Sequence, residues 1–229
     1  MPSIEIITSI TGGKDELLEV VEGGNAKFIA YVDDLTQPSK GWELRPAYDK
    51  FKDPRRNSRI HKIMIHKYSD ADYTIWADGS VFLQTTPETI IEKYMKGYEM
   101  AIYRHQGREC LYKEALVCAQ LKLDDPELII EQAKYYEDHG FPKEKGLCEG
   151  AFIIRKNCQK TRDFNEAWWA DYCRFSRRDQ ISLPVALDKV GVNVNMVDSK
   201  WNLYPTAAIR EDNMVGMKPH LHTEGNFNQ

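Results

Sequence analysis

Apolar positions along this chain follow two rhythms: short strand-length runs toward the N-terminus and helical spacings further on. Ile4 to Ile10 and Ala26 to Val32 are runs of strand length bounded by turn residues. The first leads into the Gly12-Gly13 bend and the second into Asp33-Asp34, so two strands deliver polar turns to what reads as a common ligand edge. A polar stretch from Trp42 to Arg59, carrying Arg45, Arg55, Arg56 and Arg59, precedes the amphipathic segment Ile60–His66. A third apolar run, Tyr73–Ala77, stops at Asp78-Gly79 before Val81-Phe82-Leu83 returns. A strand that ends in one carboxylate and a tight bend points that acid into the crevice of a mixed sheet. Asp78 is therefore placed to hold a metal or to orient a substrate, although a turn Asp followed by a turn Gly also accounts for the letters.

The helical half has clearer punctuation. Thr86-Pro87-Glu88 predicts a capped helix running through Tyr94. A second helix is expected from about Glu109, carrying Leu111, Glu114, Ala115, Val117 and Cys118. Asp125 as cap and Pro126 in the first turn predict a third, with Gly140 as its stop. Asp163-Phe164-Asn165-Glu166 reads as the capping box of a fourth that carries Trp168, Trp169, Tyr172 and Cys173. Alternating strands and helices predict an α/β layer fold, and no Pro-, Gly- or Ser-rich linker divides it, so 1–229 reads as a single domain.

Composition narrows the class. Of 229 residues, 42% are hydrophobic and 29% charged, which is globular rather than disordered. A formal net charge of -4 supplies no global basic field for a nucleic acid polymer, while local basic groups remain suited to a small phosphorylated ligand. The start lacks a basic leader with an apolar core and no run has the length of a membrane span, so a soluble, cytoplasmic protein is expected provided no targeting segment precedes it. Five dispersed cysteines, Cys110, Cys118, Cys148, Cys158 and Cys173, predict free thiols, most of them buried, rather than disulfides or a zinc knuckle.

Several clusters carry candidate chemistry. The backbone around Gly12, Gly13, Lys14 and Asp15 is suited to a phosphate. His105, Arg108 and Glu114 can contact a polar substrate or a metal, or simply solvate a helix start. Glu149, where a loop feeds the apolar run Ala151–Ile154, is placed for a sugar hydroxyl or for proton acceptance. Asp179 is expected to cap or begin a helix, with Arg178 facing a phosphate and Gln180 a polyhydroxyl ligand. Trp168-Trp169 reads as core packing more readily than as a sugar platform, and His220-Leu221-His222 is a weak metal signal.

In combination and in order, Ile7–Leu17, Ile75–Val81, His105–Ala115, the Gly-Leu-Cys-Glu turn at 146–149 and Ser176–Leu187 resemble a glycosyltransferase-like family, formerly a domain of unknown function, related to GT-A nucleotide-sugar enzymes. The resemblance covers about residues 4–190 and leaves the C-terminal tail less defined. It implies a GT-A-like, Rossmann-related mixed sheet flanked by helices, and transfer of a sugar from a nucleotide-diphosphate donor to an acceptor hydroxyl. It implies Mn²⁺ or Mg²⁺ held through Asp78, although Ala77 and Ser80 depart from the Asp-x-Asp pattern. Asp33 or Asp34 would meet the nucleoside near Thr8, Gly12 and Gly13, and Arg59 and Lys62 the donor phosphates. Arg178, Asp179 and Gln180 would meet the donor sugar or acceptor, with Asp179 the first candidate base and Glu149 the second. A nucleotide-sugar hydrolase or phosphotransferase, and a non-catalytic glycan- or nucleotide-binding module, are the alternatives.

Overall fold

A computed structural model describes residues 1–203 and 207–220. Its centre is a seven-stranded sheet of β1 (Ile4–Ile10), β2 (Lys27–Val32), β3 (Glu43–Pro46), β4 (Tyr73–Ala77), β6 (Met100–Arg104), β7 (Cys148–Lys156) and β8 (Val194–Val197). The order is β3-β2-β1-β4-β7-β6-β8. Every neighbouring pair is parallel except those made by β7, which runs against both β4 and β6. This is an α/β fold with a mixed sheet, as expected.

Period-two alternation sorts each central strand between two cores. Ile7, Trp76, Ile102 and Ile153 face one side, where they pack with α1 (Pro54–Ile63), α5 (Gln159–Arg174) and α6 (Asp179–Val190) through Ile63, Phe164, Trp168, Tyr172 and Leu183. Ile6, Ile75, Ala101 and Ile154 face the other, against α2 (Pro87–Tyr94) and a second sheet. Strands buried on both faces read as near-continuous apolar runs, which is why these were visible in the sequence. The second sheet contains β5 (Val81–Leu83), β11 (Val215–Met217), β10 (Ala208–Arg210) and β9 (Trp201–Leu203), in that order. Helices α3 (Leu111–Gln120) and α4 (Pro126–Asp138) pair beside the main sheet around Ala115, Ile129 and Phe175.

Two local expectations are corrected, on Ile60–His66 and on the start of the fourth helix. The residues Ile60–His66 are not a separate segment: they finish α1 and enter a 3₁₀ turn at Ile65–Lys67. The strand returning after Gly79, β5, joins the second sheet through β11. The fourth expected helix begins at Gln159 rather than beside Asp163, because Thr161 Oγ1 accepts from the Cys158 backbone N–H one turn earlier. Most of the free cysteines are buried as expected, namely Cys110, Cys118 and Cys148, while Cys158 is half-buried and Cys173 exposed.

Candidate active site at the carboxyl edge of the sheet

The strand order reverses at β1, with β2 and β3 on one side of it and β4 on the other. Parallel strands diverging in this way leave a crevice beyond their carboxyl ends. A cavity of about 480 Å³ lies there, lined by the Thr11–Asp15 loop after β1, Asp78 and Gly79 after β4, the first turns of α1, and Arg177. A second lobe of about 250 Å³ shares Lys14, Arg59, Asp78 and His220 with the first and adds Lys62, His105, Glu149, Gly150, Arg178, Asp179 and Gln180.

Local chemistry sets α1 against this edge. Asp53 Oδ1 accepts from the Arg55 N–H and Pro54 occupies the first turn, so the helix starts where the cleft opens. Thr11 Oγ1 donates to the Pro54 carbonyl at 2.6 Å, and Ser58 Oγ donates to the Ser9 carbonyl at 3.0 Å. Gly12 has φ +67°, and a Cβ there would stand 2.9 Å from Pro54 Cβ, so only glycine allows the loop and helix this close. The first turn holds Arg55 and Arg56 and no acid, so the capping Asp53 carboxylate faces two guanidinium-bearing residues at that helix end. Arg55, Arg59 and Lys62 follow one another along a single helix face at three- and four-residue steps.

The charges are unevenly satisfied. Asp179 Oδ2 lies 2.5 Å from Lys62 Nζ and 3.2 Å from Arg59 Nε, in surroundings that are almost wholly buried. Burial opposes its charge, but Lys62 and Arg59 overcome this and hold the carboxyl well below the usual range. The Arg59 contact has the distance of an ion pair without hydrogen-bond alignment, leaving that buried N–H unspent. Asp78 Oδ1 accepts the Trp76 indole N–H at 2.7 Å and stands 3.8 Å from Arg59 and 3.9 Å from Lys62. Lys14 and Arg55 are both pushed down, first by burial and then by the like charge of Arg59, with Arg177 and Arg178 adding to the effect at Arg55. Crowded cations of this kind are relieved by a bound anion.

Glu149 and Gly150 enter the second lobe from β7. Pairing between β6 and β7 shifts register between Ile102 and Tyr103, so Glu149 lies opposite Tyr103. Such irregularities re-aim side chains next to sites. Glu149 Oε2 accepts from Arg210, while among the described residues no hydrogen bond to Oε1 is formed. A Cβ on Gly150 would stand 2.9 Å from Lys62 Nζ. His105 is pinned by the Gly107 and Arg108 N–H groups, each 3.0 Å from Nδ1, and burial followed by Arg108 lowers its proton affinity.

The cleft thus gathers Gly12, Gly13, Arg59, Lys62, Asp78, His105, Glu149, Arg178, Asp179 and Gln180 from the sequence-derived candidates. Thr8 is not brought to it, being buried within β1 one position before Ser9, the first cavity-lining residue of that strand. Asp33 and Asp34 are spent on local structure: Asp33 Oδ2 accepts from the Gly12 N–H at 2.6 Å and Asp34 Oδ1 from the Thr36 N–H at 2.8 Å. Arg108 stands behind the cleft, paired with Glu114 and touching His105. Trp168 is core, donating its indole N–H to the Asp179 carbonyl at 2.9 Å. His220 meets Asp15 at 2.8 Å, and His222 lies outside the described residues. Sequence reasoning missed Arg177, which bridges Asp53 and Asp124, and Arg210; their distance along the chain from their partners left no local signal. Among the described residues no group of three or more His, Cys, Asp or Glu is placed to hold a metal ion. Asp78 alone, with two cations facing its Oδ1, does not make a protein cage for one.

The profile of the TOD1/MUCI70 glycosyltransferase-like domain matches residues 46–216. The chain belongs to this family. It is 29% identical over 162 residues to an Arabidopsis thaliana protein named Probable hexosyltransferase MUCI70, a match covering 66% of this chain and 28% of that protein. The chain therefore spans well under half the length of this relative. Among solved structures, the WbbM bifunctional glycosyltransferase in its apo form aligns at a TM-score of 0.47 and 10% identity, covering 86% of this chain and 39% of that one. Galactosyltransferase LgtC, in complex with donor and acceptor sugar analogs, aligns at 0.43 and 8% identity, covering 85% and 73%. The expected glycosyltransferase-like family is borne out, and the mixed sheet flanked by helices agrees with the GT-A-like, Rossmann-related architecture expected with it. Among the described residues no helix is long and apolar enough to cross a membrane.

Proposed function

We propose that this chain transfers a hexose from a nucleotide-diphosphate donor to an acceptor hydroxyl. The observation that carries the reading is the cationic wall of the cleft: Lys14, Arg55, Arg59 and Lys62 converge at the carboxyl edge of the sheet, at a helix N-terminus with no acid in its first turn. A diphosphate meets that charge through charge-assisted hydrogen bonds from these lysines and arginines. As the bond from the anomeric carbon to the leaving phosphate oxygen breaks, the electron pair departs with the nucleoside diphosphate. Cations already fixed along the cleft stabilise that developing charge.

The second lobe takes the sugar and the acceptor. The acceptor oxygen attacks the anomeric carbon and its proton passes to Glu149, whose Oε1 has no hydrogen-bond partner among the described residues. Asp179, the first candidate base from sequence, is held ionised by two cations and so has little affinity for a proton. It serves instead to space Lys62 and Arg59. No step is routed through Mn²⁺ or Mg²⁺.

The test is a panel of UDP- and GDP-hexoses, with and without Mn²⁺, measured for binding by calorimetry and for nucleoside diphosphate release with and without candidate acceptors. Release that requires acceptor supports transfer. Release into water alone points to hydrolysis, and saturable binding without release to a binding module. No binding of any donor overturns the reading.

A further inference from the structure

The proposed base reaches the cleft from β7, but the group that holds it comes from the other sheet. Arg210, on β10, is 1% exposed and pairs through Nη2 with Glu149 Oε2. Its guanidinium is held by two aromatic rings and by hydrogen bonds from both Nη atoms. Its Cζ lies 4.2 Å from the centroid of Tyr103 and 3.9 Å from that of Trp201, and Nη1 donates to the Ser199 carbonyl at 2.6 Å. Arg210 also sits directly opposite Trp201 in the β9–β10 ladder, so the aromatic face and the cation are held in register. Tyr103 is fixed in turn, since its hydroxyl donates to Asp212 Oδ2 at 3.1 Å and Asp212 also receives the Tyr94 hydroxyl.

We infer that Arg210 is a positioning residue for the reaction: it binds one oxygen of Glu149 and thereby directs the other, Oε1, toward the acceptor hydroxyl. This rests on the reading of Glu149 as proton acceptor. Three physical points support it. A planar guanidinium clamped between two rings has little freedom, so the oxygen it holds has little freedom either. The carboxylate it orients stands at a break in the β6–β7 pairing, where the ladder alone does not dictate side-chain direction. Finally, Arg210 lines neither lobe of the cleft, so its effect on the chemistry passes through Glu149 rather than through contact with substrate. The second sheet then has a defined task, which is to install this one cation behind the base.

The test uses the full chain, with UDP-glucose, UDP-galactose and GDP-mannose as donor probes and nucleoside diphosphate release in the presence of acceptor as the readout. Arg210→Lys keeps the charge and loses the planar clamp; donor dissociation constants should stay within about 2-fold while kcat falls about 10- to 100-fold, as for a misaimed base. Arg210→Ala should lose more, and added guanidinium should restore turnover where urea does not. Glu149→Gln should be impaired like Arg210→Ala, and the double variant should be no worse than the more impaired single one. Circular dichroism reports whether each variant folds, and Arg210→Lys carries the test if Arg210→Ala does not. Unchanged kcat in Arg210→Lys beside an inactive Glu149→Gln overturns the positioning role alone. Full activity in Glu149→Gln overturns the base assignment beneath it, and no release from any probe by the unaltered chain overturns the transferase reading.

Discussion

Replacing Asp179 by Asn removes one negative charge from the middle of the cleft and keeps the volume. Asp179 Oδ2 lies 2.5 Å from Lys62 Nζ and 3.2 Å from Arg59 Nε, and Lys62 is almost fully buried. At an effective dielectric of about 20 those distances correspond to attractions of about 7 and about 5 kcal/mol before desolvation. Removing one partner of a buried pair costs about 3–5 kcal/mol in practice, because the remaining charges stay buried. Asp78 remains 3.8 Å from Arg59 and 3.9 Å from Lys62, which places the expected loss at the lower end, about 3 kcal/mol. For a chain of this size that lowers the thermal midpoint by about 6–12 °C. The variant should also gain more from inorganic pyrophosphate than the unaltered chain does, since Lys62 and Arg59 are no longer shared with a carboxylate.

Acid completes the argument with a definite sign. Asp179 is depressed in the folded state, so its contribution is fully present above the ordinary carboxyl pKa of 3.8 and is lost as pH falls through the lower folded value. The gap between the unaltered chain and Asp179→Asn should therefore narrow below about pH 4. Differential scanning fluorimetry across pH, with and without pyrophosphate, reads all three limbs. A midpoint drop under about 2 °C, or pyrophosphate stabilising both proteins equally, would refute the view that Asp179 competes with an anion for these cations.

Three further outcomes are expected. Gly12→Ala forces a side chain into φ +67° with its Cβ 2.9 Å from Pro54, and should cost about 2 kcal/mol by urea denaturation while weakening pyrophosphate binding as α1 is displaced. Retained affinity in that variant would show that the helix N-terminus is not part of the anion site. His61 is buried with a pKa pushed down to about 3, so protons enter the unfolded chain first, and stability present above pH 6.5 falls as pH drops. Between pH 7 and pH 5 this removes about 2 kcal/mol, a loss that His61→Asn should largely escape in paired urea titrations. Asp78→Asn should leave donor binding the same in EDTA as in Mn²⁺, because the lone carboxylate already faces two cations; a Mn²⁺-dependent affinity that vanishes in the variant would restore Asp78 as a metal ligand.

Local chemistry made much of the scaffold legible. The strands β1, β2 and β4 are apolar on both faces and end in turn residues, and α2 and α4 carry a cap followed by proline. The strands β3, β8, β9, β10 and β11 span three or four residues each, so their pairing depends on neighbours far along the chain and left too little periodicity to read. The start of α5 was misplaced for a related reason. Asp163 has the chemistry of a cap, yet its Oδ1 accepts from the Gln159 side chain at 2.8 Å inside a helix already begun.

The site divides in the same way. The amino-acid sequence by itself determined which strand ends carry polar turns, that Asp78 stands without an acid at Ala77 or Ser80, and which charged residues were available. It also carried enough ordered motif for the family to be recognised. Tertiary structure alone decided which carboxylate is spent and which is left available. Lys62 and Asp179 are separated by 117 residues and Glu149 and Arg210 by 61, so no local pattern pairs them. Proton affinity depends on burial and on charges within a few ångströms, and both exist only once the chain has folded.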